Sequence, residues 1–119
     1  MLRELLTEKG MLIVAVPNCS SYDAGRYGEY WAAYDVPRHL WHFTPVTIQQ
    51  LASRHGFIMA ARHPMPFDAF YVSMLSEKHR GSSCSFLKGM YAGTLAWFST
   101  LGRKERSSSM IYVFRKKQK

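Results

Sequence analysis

Residues 11–17 read MLIVAVP, an unbroken apolar run that a proline closes. Apolar and polar residues do not alternate in it, which is typical of a strand covered on both faces in a parallel sheet. Such a central strand needs a hydrogen-bonded neighbour on each side. Because residues 1–10 hold no second strand, we expect residues 11–16 to form a strand with one apolar edge left open in this chain.

Leucines precede this run at helical spacing. Leu2, Leu5 and Leu6 predict a helix, and Gly10 stands where a left-handed glycine normally ends one. Only about two turns of helix are present, and no N-cap residue comes before them. We therefore expect the chain to begin inside a helix and to be the C-terminal part of a larger α/β protein.

The region after residue 43 carries the clearest helix signals. Thr44 is a preferred N-cap residue, and Pro45 is favoured at the first helical position. Gly56 is expected to end this helix, and residues 57–63 predict a second strand. The face expected to be buried comprises Ile48, Leu51, Ala52 and His55.

Residues 86–101 predict a third helix with a broad apolar stripe. We expect the stripe to pack on the sheet, with insertion into a membrane surface as the alternative. Residues 110–114, MIYVF, predict a strand, so that residues 103–119 hold the last strand and a basic tail. Residues 1–119 then form a single partial domain. The stripe comprises Leu87, Met90, Tyr91, Thr94, Leu95, Phe98 and Leu101.

The positive charge is concentrated at the C-terminus. The chain carries a net charge of +8, of which residues 103–119, with seven basic residues and one acidic residue, supply +6. A basic terminus of this kind is more typical of a solvated end than of a surface that reads bases. We expect no nucleic-acid partner, whereas peripheral contact with an anionic membrane remains open.

No stretch reaches the roughly 18 apolar residues of a membrane span. Cys19 and Cys84 lack the spacing of a metal site, and two isolated cysteines fit a reducing compartment. These features predict a cytoplasmic protein without a structural metal.

The connection between residues 17 and 43 is long and rich in aromatic rings. Connections of this length are usually functional, and ligands of open α/β sheets bind beyond the carboxyl ends of strands. The rings are expected either to line a pocket or to form a hydrophobic lid, and four of them share the spacing of one helical face. They are Tyr22, Tyr27, Tyr30, Trp31, Tyr34, Trp41 and Phe43, the four being Tyr27, Tyr30, Trp31 and Tyr34.

Two histidines, His39 and His42, lie in a segment that the sequence predicts to be extended. A three-residue separation then places their side chains on opposite faces, and no carboxylate accompanies them at a metal-site spacing. A structural hydrogen bond or a proton-transfer role for one histidine is expected instead. Neither a nucleophile elbow nor a phosphate-binding glycine loop occurs in the sequence.

Two motifs make the chain resemble a known family. Leu5-Leu6, Gly10 and residues 11–18, MLIVAVPN, are similar to the LLxxGGxLxxxxPN stretch of class I S-adenosylmethionine-dependent methyltransferases. Residues 35–45, DVPRHLWHFTP, followed by Leu51 and Gly56-Phe57, resemble the DxPRHLxxFTP…L…GF signature of one bacterial branch of that superfamily.

This resemblance implies a seven-stranded, Rossmann-like sheet. The three predicted strands would be its strands five, six and seven, with the last antiparallel between the other two. The family's glycine-rich cofactor loop and its ribose-binding acidic residue belong to the first strands, which this sequence lacks. S-adenosylmethionine is therefore expected in the complete enzyme and not on this chain alone.

The resemblance also implies that this chain holds the side of the site that binds the methyl acceptor. The expected catalytic base is either His39 or His42, if the acceptor must lose a proton. Arg38 is expected either to contact the acceptor or to pair with Asp35 and fix the loop. The acceptor is expected to be a small molecule or a glycan-linked or lipid-linked group. The substrate-binding set comprises Asn18, Tyr30, Trp31, Asp35 and Arg38.

Two further partners are expected. The apolar edge of residues 11–16 favours self-association into a dimer or larger oligomer. A non-enzymatic module is the alternative function, in which the helix of residues 86–101 and the basic C-terminus dock on an anionic membrane or a protein.

Overall fold

One three-stranded sheet organises the chain in a computed structural model, which describes residues 1–118. Its strands are β1 (Met11–Pro17), β2 (Phe57–Pro64) and β3 (Ser109–Lys116). The order across the sheet is β1-β3-β2, and β3 runs antiparallel to both neighbours. The predicted α/β class and the three strands are thereby confirmed. Lys119, the end of the predicted basic tail, lies outside the described residues.

Helices fill the connections between the strands in the described range. The α-helices are α1 (Leu2–Leu5), α2 (Tyr22–Tyr27), α3 (Pro45–Arg54), α4 (Asp68–His79) and α5 (Ser85–Gly102). Short 3₁₀ turns lie at Gly28–Tyr30, Ala32–Tyr34 and Lys104–Arg106.

Helix α3 begins and ends where the sequence predicts. The Thr44 hydroxyl accepts a hydrogen bond from the Thr47 amide at 3.2 Å, and the Thr47 hydroxyl accepts one from the Thr44 amide at 2.8 Å. This reciprocal capping satisfies two amides that the helix itself leaves unpaired. Gly56 follows the helix with φ of 78°, the left-handed conformation that turns the chain into β2.

Within residues 1–118, other elements cover only one face of the sheet. The covered face carries Met110, Tyr112 and Phe114 of β3, which pack with Ile48 of α3 and Phe57 of β2. Leu12, Val14 and Val16 of β1 pack against the edge of this cluster.

The opposite face of the sheet is exposed, and we call it the open face. Met11 and Ile13 of β1 have 51% and 63% of their surface exposed there, and Ile58 of β2 has 50%. The register pairs Ile13 with Val113 and Met11 with Arg115, which places these side chains on one side. Burial of β1 on both faces in a parallel sheet is therefore wrong for this chain, because it pairs antiparallel and no helix in residues 1–118 covers its second face.

The two outer strands differ in how they protect their edges. In β2 the register shifts between Met59 and Ala61, and charged or polar Arg62 and His63 follow. A bulge and charges of this kind normally discourage pairing with another chain. β1 pairs in unbroken register along all seven residues and contains no charged residue. Its edge is the one suited to a further strand.

The N-terminal helix is shorter than predicted. α1 ends at Leu5, since Leu6 is already extended, and Gly10 has no positive φ. The Gly10 amide instead donates to the Thr7 carbonyl at 3.0 Å in a tight turn. The expectation that Gly10 is a left-handed helix end is wrong, because α1 buries none of its residues and has no packing to extend it.

Helix α5 packs on α4 and not on the sheet. Its contact face consists of small residues, and a Cβ added at Gly89 or Gly93 would lie 2.5 Å or 2.8 Å from the Cα of Met74 or Phe70. The predicted apolar stripe therefore points away from the protein, which corrects the expectation that it packs on the sheet. The sequence analysis also missed α4, whose own buried residues include Ala69, Val72 and Ser73.

Gly89→Ala tests the close approach of α4 and α5. The added methyl would meet the α4 backbone, so we expect the free energy of unfolding to fall by about 1–3 kcal/mol, the usual cost of overpacking. Gly102→Ala, in the same helix but in open space, is the control and should be neutral or slightly stabilising. Urea unfolding followed by circular dichroism measures both. Equal stability of the two variants would contradict this packing.

Candidate functional site

The connection between β1 and α3 folds into a closed loop beyond the carboxyl end of β1. It leaves the sheet at Asn18 and returns to it at Phe43, where the two residues form an isolated parallel bridge. The Cys19 amide donates to the Phe43 carbonyl at 3.0 Å. The whole aromatic segment is thus tied to the end of the strand, the position expected for a ligand site in an α/β sheet.

The buried side chain of Asn18 anchors this closed loop. Its side-chain amide nitrogen donates to the carbonyls of Glu105 and Ser107 at 2.7 Å and 3.0 Å. Its oxygen accepts from the amide and hydroxyl of Ser20. The side chain is only 1% exposed and its hydrogen-bonding groups are all occupied. These contacts hold the chain together, and its predicted contact with an acceptor stays a prediction.

Two of the predicted rings belong to a core beneath the connection. Trp31 is 1% exposed, and its indole nitrogen donates to the Asp23 carboxylate at 2.9 Å. Tyr27 is also buried, and both lie in a cluster with Val72 of α4 and Ala92 of α5. These rings serve as a packed support, and the predicted contact of Trp31 with an acceptor stays a prediction. Tyr30 remains partly exposed, and so does Tyr34, which meets the Trp31 ring edge-on at 5.0 Å.

A buried polar group links this support to α4. The Tyr27 hydroxyl donates to the Glu77 carboxylate at 3.1 Å, and the Ser82 hydroxyl donates to its other oxygen at 2.6 Å. The Ser82 bond is the main reason that the pKa of Glu77 lies below its usual value. Burial, together with the bond to Glu77, raises the pKa of Tyr27 to about 12. Neutral tyrosine and ionised glutamate are therefore the paired forms near neutral pH.

The DxPRH segment forms a turn at residues 36–38, while the expectation that His39 and His42 lie in an extended stretch stays a prediction. Asp35 is left-handed, with φ of 40°, and its carbonyl accepts a hydrogen bond from the His39 amide at 3.0 Å. Its carboxylate lies 3.7 Å from Arg38 and 3.9 Å from the Nδ1 of His39. The expected pairing of Arg38 with Asp35 is confirmed as a contact. All three side chains are substantially exposed, so the pairs orient the turn and add little stability.

His42 follows the turn, and one of its ring nitrogens already makes a hydrogen bond. Its Nε2 lies 2.9 Å from the Tyr34 carbonyl oxygen, and its ring meets the Tyr34 ring edge-on at 4.9 Å. A carbonyl can only accept, so Nε2 carries the hydrogen. In the neutral tautomer, Nδ1 is then the nitrogen able to take a proton.

The structure divides the seven predicted site residues into two groups. Asp35, Arg38 and His39 meet at the exposed turn, His42 lies beside Tyr34 next to it, and Tyr30 lies a few residues before it. Asn18 and Trp31 lie in the interior and support the connection. The buried partners of the second group come from residues far along the chain, which sequence spacing does not reveal.

An apolar cavity also lies on the covered face of the sheet. It is an open groove of about 460 Å³ between α1 and α3, and none of the seven predicted residues lines it. The predicted buried face of α3 is buried only at Ile48, because Leu51 and His55 are exposed and border this groove together with Ala52. We call it the sheet groove. Its floor includes Leu12, Val14, Ile48, Phe57 and Phe114.

Other classes of site find no support in the described part of the chain. Residues 1–118 contain no cluster of three or more potential metal ligands, and Cys19 and Cys84 form no disulfide there. No helix among these residues has both the length and the apolar character needed to cross a membrane.

Comparison of the chain with protein-family models, with curated proteins and with solved structures finds no match. The residues and their geometry therefore carry the functional argument.

The Glu77 network predicts an acid-dependent stability. Because the pKa of Glu77 is lowered on folding, its contribution is present above the ordinary value of 4.5 and is lost as the pH falls below it. Glu77→Gln should therefore be less stable than the parent at pH 7, and the difference should shrink under acid conditions. Urea unfolding at a series of pH values measures this. Glu29→Gln, at an exposed position, is the control, and a pH-independent difference for Glu77→Gln would contradict the account.

Proposed function

We propose that this chain forms the acceptor-binding part of a class I S-adenosylmethionine-dependent methyltransferase domain and does not transfer methyl groups by itself. One observation carries the proposal: β3 lies between β1 and β2 and is antiparallel to both. The family that residues 5–18 and 35–57 resemble has this arrangement in its last three strands. Strand order depends on long-range pairing, so it supports the resemblance independently of the local motifs.

The uncovered surfaces of the sheet support the same proposal. β1 presents a regular edge, the open face exposes Met11 and Ile13, and the sheet groove leaves apolar residues beside α3 accessible. Proteins seldom leave contiguous apolar surfaces or long strand edges uncovered. Further strands beside β1 and helices on both faces, as in a three-layer α/β domain, would cover all of them.

The described residues do not fit S-adenosylmethionine by themselves. A glycine-rich loop lets the backbone approach a cofactor closely. Here the glycines with positive φ, Gly28, Gly56 and Gly81, follow three different helices and form no common loop. We therefore assign cofactor binding to the remainder of the proposed domain and derive no step through the cofactor in this chain.

The exposed turn supplies the chemistry of an acceptor site. A hydroxyl or amine acceptor must lose a proton when it is methylated, and a neutral imidazole nitrogen is suited to take it. In this proposal the Nδ1 of His42 takes the proton, while the Tyr34 carbonyl holds the ring in the required tautomer. Asp35 orients Arg38 and His39 toward one side of the turn. The acceptor class remains a small molecule or a glycan-linked or lipid-linked group.

Titration calorimetry with S-adenosylmethionine tests whether cofactor binding belongs to the remainder of the proposed domain and not to this chain. We expect no micromolar binding by the 119-residue chain. We expect micromolar binding when the chain is extended by the coding sequence directly upstream of Met1, which should encode a strand followed by a glycine-rich turn. Micromolar binding by the 119-residue chain, or an upstream sequence without such a turn, would overturn the proposal.

A variant of the extended protein tests the acceptor side separately. His42→Ala should lower methyl transfer by roughly 100-fold or more while leaving cofactor binding unchanged, the size expected for loss of a general base. His79→Ala, an exposed histidine at the end of α4, is the matched control and should retain activity. Equal activity of the two variants would exclude His42 as the base.

The open edge of β1 also predicts self-association of the isolated chain. Two copies can pair their β1 edges into one continuous sheet, which satisfies the outer amides and carbonyls of the strand. Light scattering should show a dimer or a larger oligomer. Ile13→Lys, on the open face of β1, should shift it toward monomer, whereas Val46→Lys on α3 should not. A monomeric parent chain at high concentration would contradict this prediction.

A further inference from the structure

The packing of the α4 and α5 hairpin exposes most of the large side chains of α5. Gly89 and Gly93 closely approach the α4 backbone, and they, Ala92 and Ala96 are all buried. Their size allows the two backbones to approach so closely that no large side chain fits between them. The opposite face of α5 consequently faces solvent.

We call this opposite face the outer stripe. The 3.6-residue period places its members along one side of an 18-residue helix, which is about 27 Å long. Several of them are more than half exposed, and the Thr94 hydroxyl in their midst donates to the Met90 carbonyl at 2.8 Å, so it needs no water partner. The most exposed members are Leu87 at 69%, Tyr91 at 63%, Phe98 at 58% and Leu101 at 66%.

The charges around the outer stripe are almost all positive. Exposed Lys78 lies in the last turn of α4 and exposed Arg80 lies in the turn before α5, while α5 itself carries Lys88 and no acidic residue. Arg103 and Lys104 follow at its other end and are also exposed.

The acidic residues of the hairpin region are already paired. Glu105 binds Arg62, and Asp68 accepts a hydrogen bond from Ser109. Glu77 is buried with its hydroxyl partners. The surface that remains is an apolar strip with basic residues at each end.

We infer that the outer stripe of α5 lies flat on an anionic lipid surface. An apolar face inserts at the boundary between headgroups and acyl chains, and basic residues at its ends meet the anionic headgroups. Aromatic side chains such as Tyr91 are well suited to this boundary. A protein partner is the weaker explanation because the exposed stripe offers little for recognition beyond the Tyr91 hydroxyl, and α5 carries no acidic residue. The inference does not depend on the proposed methyltransferase function.

Vesicle binding tests the inference with the 119-residue chain. Vesicles of phosphatidylcholine mixed with phosphatidylglycerol should sediment the protein, and pure phosphatidylcholine vesicles should bind it much more weakly. Trp97, beside Phe98 in α5, reports contact by a blue shift of its emission in a Trp41→Phe background. High salt should weaken binding. Absence of binding to the anionic vesicles would overturn the inference.

Variants distinguish vesicle binding through the outer stripe from nonspecific hydrophobic binding. Phe98→Ser and Leu101→Ser should each weaken vesicle binding by roughly tenfold, since each removes an inserted apolar side chain. Val46→Ser, at an equally exposed apolar position on α3, should bind like the parent. Urea unfolding verifies that all three remain folded, and equal binding by all three would overturn the inference.

The basic ends have their own control. Arg103→Gln combined with Lys104→Gln should weaken binding and reduce its salt dependence, whereas Lys9→Gln combined with Arg54→Gln should not. If light scattering instead showed that Phe98→Ser dissociates the oligomer without changing vesicle binding, the stripe would be a contact between copies and the lipid assignment would be wrong.

Discussion

The pairing of β3 with both other strands is the constraint on which the sheet depends. β1 and β2 do not pair with one another, so the last strand of the chain joins segments more than forty residues apart. Its buried side chains, Met110, Tyr112 and Phe114, form the centre of the covered face. The segment just before it also supplies the Glu105 and Ser107 carbonyls that hold Asn18. The sheet and the closed loop that carries the candidate site therefore both require the C-terminal residues.

The sequence was most informative where structure is locally determined. Capping by Thr44, the proline that follows it and the left-handed Gly56 define α3 through contacts within a few residues, and the apolar runs locate the three strands. The predictions from sequence that were wrong concern which elements pack against each other. α5 has a large apolar face and a small-residue face, and size alone favours burial of the first. The small-residue face is the buried one because its glycines and alanines let α4 approach closely. The sequence analysis had not identified α4.

The same distinction holds at the candidate site. The contact between Asp35 and Arg38 spans three residues and could be predicted, although the turn that makes it could not. The roles of Asn18 and Tyr27 depend on Glu105 and Glu77, which lie 87 and 50 residues away. A polar or aromatic residue in a long connection can be a ligand contact or an internal support, and only the positions of such distant partners distinguish them. Residues 35–42 thus remain the accessible part of the site, and the aromatic core beneath them holds them in place.

We propose that this sheet takes up further strands and layers beyond those that the described residues supply. Its apolar side chains on both faces and the unbroken register of β1 agree on this point. Amide hydrogen exchange in dilute solution tests it most directly. The amides of β1 that point away from β3 should exchange as fast as those of exposed loops, while the amides of β3 remain protected. A particle of monomer mass in which every β1 amide is as protected as those of β3 would contradict the account.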